Sequence, residues 1–148
     1  MKPVNEVLNE KGHEIYSIAP DALVFDAIKL MAQKEVGFLL VLESGKLIGV
    51  VSERDYTRKV ILKGKSSKET LVKDIMTTPV ICADVDQDVK KCMAMMTVKG
   101  IRHLPIFDDK KLSGVVSLGD LVKTIIAEQE SKIKSFENYF QYRSDLLQ

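Results

Sequence analysis

One segment of the chain occurs twice, and this internal repeat constrains the fold more than any other feature. Gly49–Ser52 and Gly114–Ser117 both read Gly-Val-Val-Ser. At the offset between these two segments, 12 of the 35 positions from 21 to 55 are identical to their counterparts, whereas chance gives about two or three at ordinary residue usage. The chain is therefore expected to be a tandem duplication of one supersecondary unit.

Each copy has the pattern of a β-α-β-β-α unit. A short extended run comes first, and apolar residues then follow at the i, i+3, i+4, i+7 spacing of an amphipathic helix, as at Val24, Ala27, Ile28 and Met31. Two apolar runs of strand length across a polar turn predict a hairpin, and a second helix follows it. The predicted strands are 15–18, 38–42 and 47–51 in the first copy, and 80–83, 104–107 and 112–116 in the second.

These units predict an α+β fold in which two repeats pack sheet to sheet around a pseudo-twofold axis, with a ligand cleft between them. The predicted divisions are residues 1–70 for the first repeat with its lead-in and linker, 71–127 for the second repeat, and 128–148 for a C-terminal helical extension.

Composition narrows the class of protein. The 22 Lys and Arg nearly balance the 21 Asp and Glu, so the chain lacks the basic excess of a dedicated nucleic-acid binder. No apolar run approaches the ~20 residues that cross a bilayer, and the first residues do not resemble a secretory signal. We expect a cytoplasmic protein that binds neither nucleic acid nor membrane.

The few cysteines and histidines argue against metal or nucleophilic chemistry. Cys82 and Cys92 form neither a CxxC pair nor a zinc half-site, and His13 and His103 lie far apart in the sequence. Both cysteines fall at core-facing positions, where they are expected to act as small buried hydrophobes. No metal site and no catalytic residue is predicted, so the chain is not expected to be an enzyme.

The motif with the clearest chemistry is a strand followed by Ser-x-x-Asp and a helix, and it occurs at Ser52–Asp55 and Ser117–Asp120. Two interpretations fit it. In a capping box, the serine accepts a hydrogen bond from the third helical N–H and the acid bonds back to the serine N–H. In a nucleotide site, the helix N-terminus and the serine hydroxyl bind phosphate, while the carboxylate binds a ribose diol.

Basic side chains lie near both motifs in the sequence. Arg102 and His103 begin an apolar strand of the second copy, where they are either solvated residues or a phosphate clamp. The first copy has Gly37 and Phe38 at those positions. Its second helix carries Arg54, Arg58 and Lys59, which either bind phosphate or form a solvated face. The two copies are therefore expected to form unequal sites.

The ordered set of motifs resembles a tandem pair of CBS domains, over about residues 4–126. It comprises the internal repeat, the two Gly-Val-Val-Ser-x-x-Asp segments, Gly-Ile-Arg-His-Leu-Pro and Val-Lys-Asp-Ile-Met-Thr. The resemblance is to small stand-alone CBS-pair proteins of bacteria and plant organelles. It implies binding of an adenosine-containing ligand (AMP, ADP, ATP, NAD or S-adenosylmethionine) between the repeats.

The resemblance also implies roles for particular residues. Ser52 and Ser117 would bind phosphate, Asp55 and Asp120 ribose, and Arg102 and His103 phosphate. The first strand of each copy would surround the adenine. The remaining residues expected to bind ligand are Tyr16, Ser17, Phe38, Arg54, Arg58, Ile81, Pro105 and Gly119.

A helical pattern with exposed aromatic residues continues beyond the second repeat by two or three turns. It predicts either packing of the end helix on its own domain or a homodimer contact, and we expect the homodimer, whether parallel or antiparallel. The function that fits these features is a ligand-sensing regulatory module acting on a partner protein in trans. The alternative is an interaction scaffold in which both Ser-x-x-Asp motifs are ordinary capping boxes.

Overall fold

The computed structural model describes residues 2–147, which form two β-α-β-β-α units and a long C-terminal helix. The helices are α1 Val4–Lys11, α2 Val24–Lys34, α3 Glu53–Lys59, α4 Val89–Lys99 and α5 Leu118–Leu146. The strands are β1 Ser17–Ile18, β2 Phe38–Glu43, β3 Lys46–Ser52, β4 Ala83–Asp84, β5 His103–Asp108 and β6 Lys111–Ser117. This confirms the predicted α+β class and both hairpins, while β1 and β4 are shorter than the predicted extended runs.

The two sheets of the described chain have the same mixed topology, with strand orders β1-β2-β3 and β4-β5-β6. The first strand pairs parallel with the central strand, and the hairpin pairs antiparallel. Equivalent residues keep equivalent registers, since Leu39 lies opposite Val51 and Leu104 lies opposite Val116. The sequence repeat is therefore a structural repeat down to the pairing of single residues.

The core of the first repeat forms where the helix stripe meets one face of the hairpin. Val24, Ala27 and Met31 of α2 join one buried cluster with Leu39 and Val41 of β2. Alternate residues of a strand point to the same face, so Leu39 and Val41 project together toward α2. The predicted apolar stripe is confirmed as core. Fully burying one side chain of this size contributes about 1.5–3 kcal/mol.

The stripe of α4 plays the same part in the second repeat. Val89, Cys92 and Met96 are buried there. Burial, reinforced by the negative charge of Asp88, raises the pKa of the Cys92 thiol to about 11, so this cysteine stays protonated and behaves as an apolar core residue. Cys82 is half-buried.

The two compact units do not follow the order of the chain. One is formed by Glu14–Cys82, and the other by residues 2–13 together with residues 83–147. Helix α1 therefore belongs with the second repeat, although it precedes the first. The divisions predicted at residues 70 and 127 do not coincide with these units, and as limits of the sequence repeats they stay a prediction.

The segment from α1 to His13 packs along β6, an edge strand of its sheet. Leu8 is fully buried and closely approaches Gly114. The Lys11 ammonium donates to the Val115 carbonyl (2.8 Å), and the His13 ring lies 2.8 Å from the Ser113 carbonyl oxygen. These contacts cover an edge whose backbone groups would otherwise be open to pairing with another chain.

The segment before the second repeat covers β3 in the same way. The backbone N–H groups and carbonyls of Thr77 and Val50 pair reciprocally (2.7 and 3.1 Å), and Met76 packs over Gly49. Each lead-in segment thus packs on the hairpin of the other repeat. The sequence repeat did not predict this exchange.

Helix α5 is a single helix that crosses residue 127 and continues to Leu146. The predicted extension of two or three turns was too short, because about five turns lie beyond residue 127. Within the described part of the chain, no helix is both long and apolar enough to cross a membrane.

Candidate functional site

Both Ser-x-x-Asp segments form the turn from a hairpin strand into a helix, and both contain a complete capping box. The Ser52 hydroxyl accepts from the Asp55 backbone N–H (3.2 Å), and the Asp55 carboxylate accepts from the Ser52 backbone N–H (3.0 Å). The corresponding distances for Ser117 and Asp120 are 3.0 and 2.8 Å. The capping interpretation of the motif is thus realised in both copies.

Asp120 also binds a cation from a distant part of the sequence. The Lys11 ammonium lies 2.8 Å from Asp120 Oδ2, the same oxygen that accepts from Ser117. Partial burial opposes ionisation, but the hydrogen bonds from Lys11 and from the Ser117 backbone outweigh it and hold the pKa of the Asp120 carboxyl below its usual value. At neutral pH this site therefore pairs an ionised carboxylate with a lysine.

Asp55 is more enclosed, and both of its oxygens have partners. Oδ2 accepts from Ser52, while Oδ1 accepts from the Thr77 hydroxyl (3.1 Å) and lies 3.0 Å from Lys59 Nζ. The side chain of Asp55 is 12% exposed and that of Asp120 is 21% exposed. A ligand hydroxyl would therefore displace more protein contacts at Asp55 than at Asp120.

The strand register places the predicted residues of the central strands opposite the serines. Phe38 pairs with Ser52, and His103 pairs with Ser117. The Leu118 backbone N–H donates to the Arg102 carbonyl (2.8 Å), which fixes Arg102 beside the start of α5. Arg102, His103, Ser117 and Asp120 therefore come together at one end of the hairpin.

His103 is half-buried in this group. Burial lowers the pKa of its imidazole, and the positive charges of Lys11 and Arg102 lower it further, against the opposing effect of Asp120. The ring is thus mainly neutral at pH 7. An added anion would favour its protonated form.

The other predicted residues divide between positions near the motifs and positions away from them. Gly119 of α5 is exposed, as are Arg54 and Arg58 of α3. Tyr16 and Ser17 lie at the opposite edge of their sheet from Ser52, because β2 separates β1 from β3. Pro105 is buried within β5. Ile81 falls in the unit Glu14–Cys82 and not with the second repeat.

Lys11 and Thr77 were absent from the predicted set, and Lys59 was expected at a phosphate or in solvent and not at Asp55. Lys59 is four residues after Asp55, and that spacing on a helix is a usable signal for an ion pair. Lys11 precedes the first repeat, whereas Asp120 lies in the second, and Thr77 belongs to the segment before the second repeat. Their positions depend on the exchange of lead-in segments, which no local pattern indicates.

Comparison with known proteins identifies the family. The CBS domain family matches residues 4–61 and 72–127, which is most of the chain. The chain belongs to the CBS-domain family. The mitochondrial CBS domain-containing protein CBSX3 of Arabidopsis thaliana is 37% identical over 147 residues, covering 93% of this chain and 71% of that protein.

Solved structures of CBS proteins share the fold. A protein with CBS domains from Burkholderia ambifaria is 46% identical, with a TM-score of 0.83 over 86% of this chain and 96% of its own. The CBS pair of MJ0100, solved in complex with 5-methylthioadenosine and S-adenosyl-L-methionine, is 22% identical (TM-score 0.75, 86% and 98% coverage). A CBS-CP12 protein from bloom-forming cyanobacteria, 27% identical (TM-score 0.73, 82% and 70% coverage), is hexameric.

The sequence predicted no metal site. Residues 2–147 contain no group of three His, Cys, Asp or Glu side chains placed to hold a metal ion. The aspartates of the two Ser-x-x-Asp segments are instead each paired with a lysine.

We expect Lys11→Met to lower the free energy of unfolding at pH 7 by about 1 kcal/mol, since the ion pair is partly screened by solvent. Because Asp120 has a lowered pKa in the folded state, the stabilisation is present above its unfolded value of 3.8 and is lost as the pH falls through the folded value. Urea denaturation of wild type and variant should give a constant difference from pH 7 to 5 and a smaller one at pH 3.

Lys2→Met provides the control, because it breaks an ion pair to Glu10, whose side chain is 67% exposed. We expect a smaller change in stability for this variant. A difference between wild type and Lys11→Met that does not depend on pH would contradict the role assigned to Asp120.

Proposed function

We propose that this CBS pair is a non-catalytic regulatory module that binds an adenosine-containing ligand (AMP, ADP, ATP or NAD) at its Ser-x-x-Asp segments and signals to a partner protein in trans. The observation that carries the proposal is the cluster of His103, Ser117 and Asp120 with Lys11 at the start of α5. It combines two cationic or protonatable groups, a helix N-terminus and a carboxylate that accepts hydrogen bonds.

The chemistry of this cluster suits a nucleotide. Backbone N–H groups and the positive end of the helix dipole favour a phosphate at the start of α5. Arg102 and Lys11 add positive charge there, and His103 would add more if a bound phosphate favoured its protonated form. Asp120, held ionised, can accept hydrogen bonds from a ribose diol. In this scheme Lys11 would move from the Asp120 carboxylate to a ligand phosphate, so one ion pair would replace another.

The Ser52–Asp55 segment is proposed as the weaker site. Both oxygens of Asp55 are already occupied, and Phe38 stands where the second repeat has His103. Phosphate binding would depend on the exposed Arg54 and Arg58 of α3. We therefore propose unequal sites because a ligand would have to replace more protein contacts at Asp55 than at Asp120.

A related fold supports this ligand class. The CBS pair of MJ0100 was solved in complex with two adenosine derivatives. Its sequence identity to this chain is 22%, so the comparison shows a shared fold and not a shared ligand. The assignment of AMP, ADP, ATP or NAD to this chain, and of a cleft shared by its two repeats, stays a proposal. We further propose a homodimer in the cytoplasm, with the oligomeric CBS-CP12 protein as a precedent for assembly.

One observation favours the alternative function of an interaction scaffold with vestigial nucleotide sites. Both capping boxes are complete, so Ser52, Asp55, Ser117 and Asp120 are satisfied without a ligand. Under this alternative the aspartates would contribute to helix stability alone, by about 1 kcal/mol each.

Thermal denaturation with and without nucleotide distinguishes the two functions. We expect at least one of AMP, ADP, ATP and NAD to raise the melting temperature of the wild type in a concentration-dependent manner, because a ligand that binds the folded state stabilises it. Asp120→Ala should weaken that ligand about tenfold or more, the effect of losing hydrogen bonds to a charged group. Asp55→Ala should have a smaller effect.

Each variant is compared with its own melting temperature without nucleotide, because removing a capping residue lowers stability in any case. Asp109→Ala, in the exposed turn at the far end of the same hairpin, is the control and should respond like wild type. The scaffold function is supported if none of the four nucleotides shifts the melting temperature. Turnover of a nucleotide to product would contradict a non-catalytic role.

A further inference from the structure

Helix α5 carries an exposed apolar face with a repeat of seven residues. The first heptad position is occupied by Ile126, Ile133, Phe140 and, directly after the helix end, Leu147. The fourth is occupied by Val122, Gln129, Phe136 and Arg143. We call these eight residues the heptad face. Its six apolar members are between 39% and 83% exposed. All four first positions and two of the four fourth positions are apolar, and a seven-residue spacing over more than three heptads is typical of a helix that supercoils around another helix.

The other side of the helix is polar. Ser131, Lys134, Asn138 and Asp145 lie there, with Tyr142 as an isolated aromatic residue. On the heptad face, Phe136 and Phe140 stack with ring centroids 6.2 Å apart, and Tyr139 packs edge-on against Phe140 at 5.8 Å. The three rings thus contact one another within a single copy.

We propose that the heptad face binds the heptad face of a second copy of this chain, forming a parallel two-stranded coiled coil. This inference rests on the homodimer in the proposed function and specifies its surface and its orientation. It does not depend on nucleotide binding.

Charge complementarity argues for a second copy in the parallel orientation. In a parallel pair, charged residues beside the apolar seam meet across the two helices. A residue at the seventh heptad position of one helix faces the residue of the other helix that is five places later in the sequence, at the fifth position of the next heptad. Lys132 of one copy then faces Glu137 of the other, and twofold symmetry forms this pair twice. The interaction adds little affinity at an exposed edge but favours this register and orientation.

The antiparallel orientation is opposed by the same charges. Aligning the two apolar faces head to tail places Ile133 beside Phe136 of the second copy, and Glu130 then faces Glu137 twice. Arg143 is unfavourable in both orientations, since it meets Ile126 twice in the antiparallel pair and the second copy's Arg143 once in the parallel pair. In the parallel pair, the two Gln129 amides meet and can bond to each other, a buried polar layer of the kind that specifies register.

Sedimentation equilibrium on the full chain tests the surface. We expect the wild type at micromolar concentration to have twice the 16.6 kDa mass of the chain. Phe136→Glu and Phe140→Glu should each weaken dimerisation about 100-fold or more, as charged substitution at an aromatic contact site implies. Tyr142→Glu is the matched control, since Tyr142 is 62% exposed and Phe136 is 64% exposed. It should remain a dimer.

Disulfide trapping tests the orientation. In a Cys82→Ser background, Gln129→Cys should form a covalent dimer on mild oxidation, because the two copies of position 129 face each other in a parallel pair. In the antiparallel pair they lie about 16 Å apart along the axis, beyond the reach of a disulfide. Asn138→Cys, on the polar side of the helix, is the control and should not form a covalent dimer under the same oxidation.

The outcomes separate the levels of the proposal. A wild type that keeps the mass of a single chain up to high micromolar concentration overturns both the homodimer and its surface. A dimer that survives Phe136→Glu and Phe140→Glu overturns the heptad face and leaves a homodimer through another surface. A dimer in which the Gln129→Cys variant does not cross-link overturns the parallel orientation. None of these results alters the nucleotide-dependent melting that tests the ligand site.

Discussion

Leu8→Ala is expected to destabilise the protein by about 3 kcal/mol. Leu8 is fully buried and belongs, through α1, to the compact unit of the second repeat. Truncation removes apolar contacts and leaves a cavity that the surrounding helices and sheet can fill only in part. Urea denaturation followed by circular dichroism should show a lower midpoint. The melting temperature should fall by about 6–12 °C for a chain of this size.

Leu62→Ala is the matched control, because the same chemical change occurs at a leucine that is 74% exposed. Surface substitutions of this kind change stability by about 0.5 kcal/mol or less. If Leu8→Ala cost no more than Leu62→Ala, helix α1 would not be part of the core of the second repeat. The exchange of lead-in segments would then be wrong.

Gly114→Ala is expected to destabilise by about 2 kcal/mol through overpacking against the same leucine. A Cβ at residue 114 would lie 2.8 Å from Leu8 Cδ2 and 3.6 Å from the His13 backbone. Leu8 is enclosed, so it cannot move aside without disturbing its other neighbours. Gly49→Ala should cost less, although its Cβ would lie 2.5 Å from Met76 Sδ, because the half-buried and flexible Met76 can adopt another rotamer.

The double variant Leu8→Ala/Gly114→Ala tests the contact directly. Shortening Leu8 makes room for the new methyl group, so the double variant should be more stable than the sum of the two losses implies, by about 1 kcal/mol or more. Purely additive losses, measured in the same urea experiment, would show that the two side chains do not share this space.

Much of each repeat could be predicted from the sequence because the signals are local. The helix stripe of Val24, Ala27 and Met31 and the two strands across a polar turn depend on neighbours within a few residues. Ser-x-x-Asp likewise predicts a helix start whether or not a ligand binds there. The capping box itself needs no contact from outside its own turn.

The contacts of the two aspartates were less predictable. The association of His103 with Ser117 follows from the hairpin register, which the turn at Asp109 and the strand lengths imply. Thr77 and Lys11 reach their aspartates only through the exchanged lead-in segments. Nothing in the residue types of Thr77 and Lys11 predicts these contacts. Exposed threonines and lysines are common, and a lysine at the end of a helix, such as Lys11, is usually solvated.

The amino-acid sequence by itself determined the duplication, the α+β units and the two strand-to-helix turns, because periodicity and capping act over a few residues. The tertiary structure decided which hairpin each lead-in segment covers, and with it which cation neutralises Asp120. Burial of Leu8 against Gly114 favours that choice, and it joins two residues that lie in distant parts of the sequence. The free energy of such a contact depends on how two surfaces fit, and a linear pattern does not contain that information.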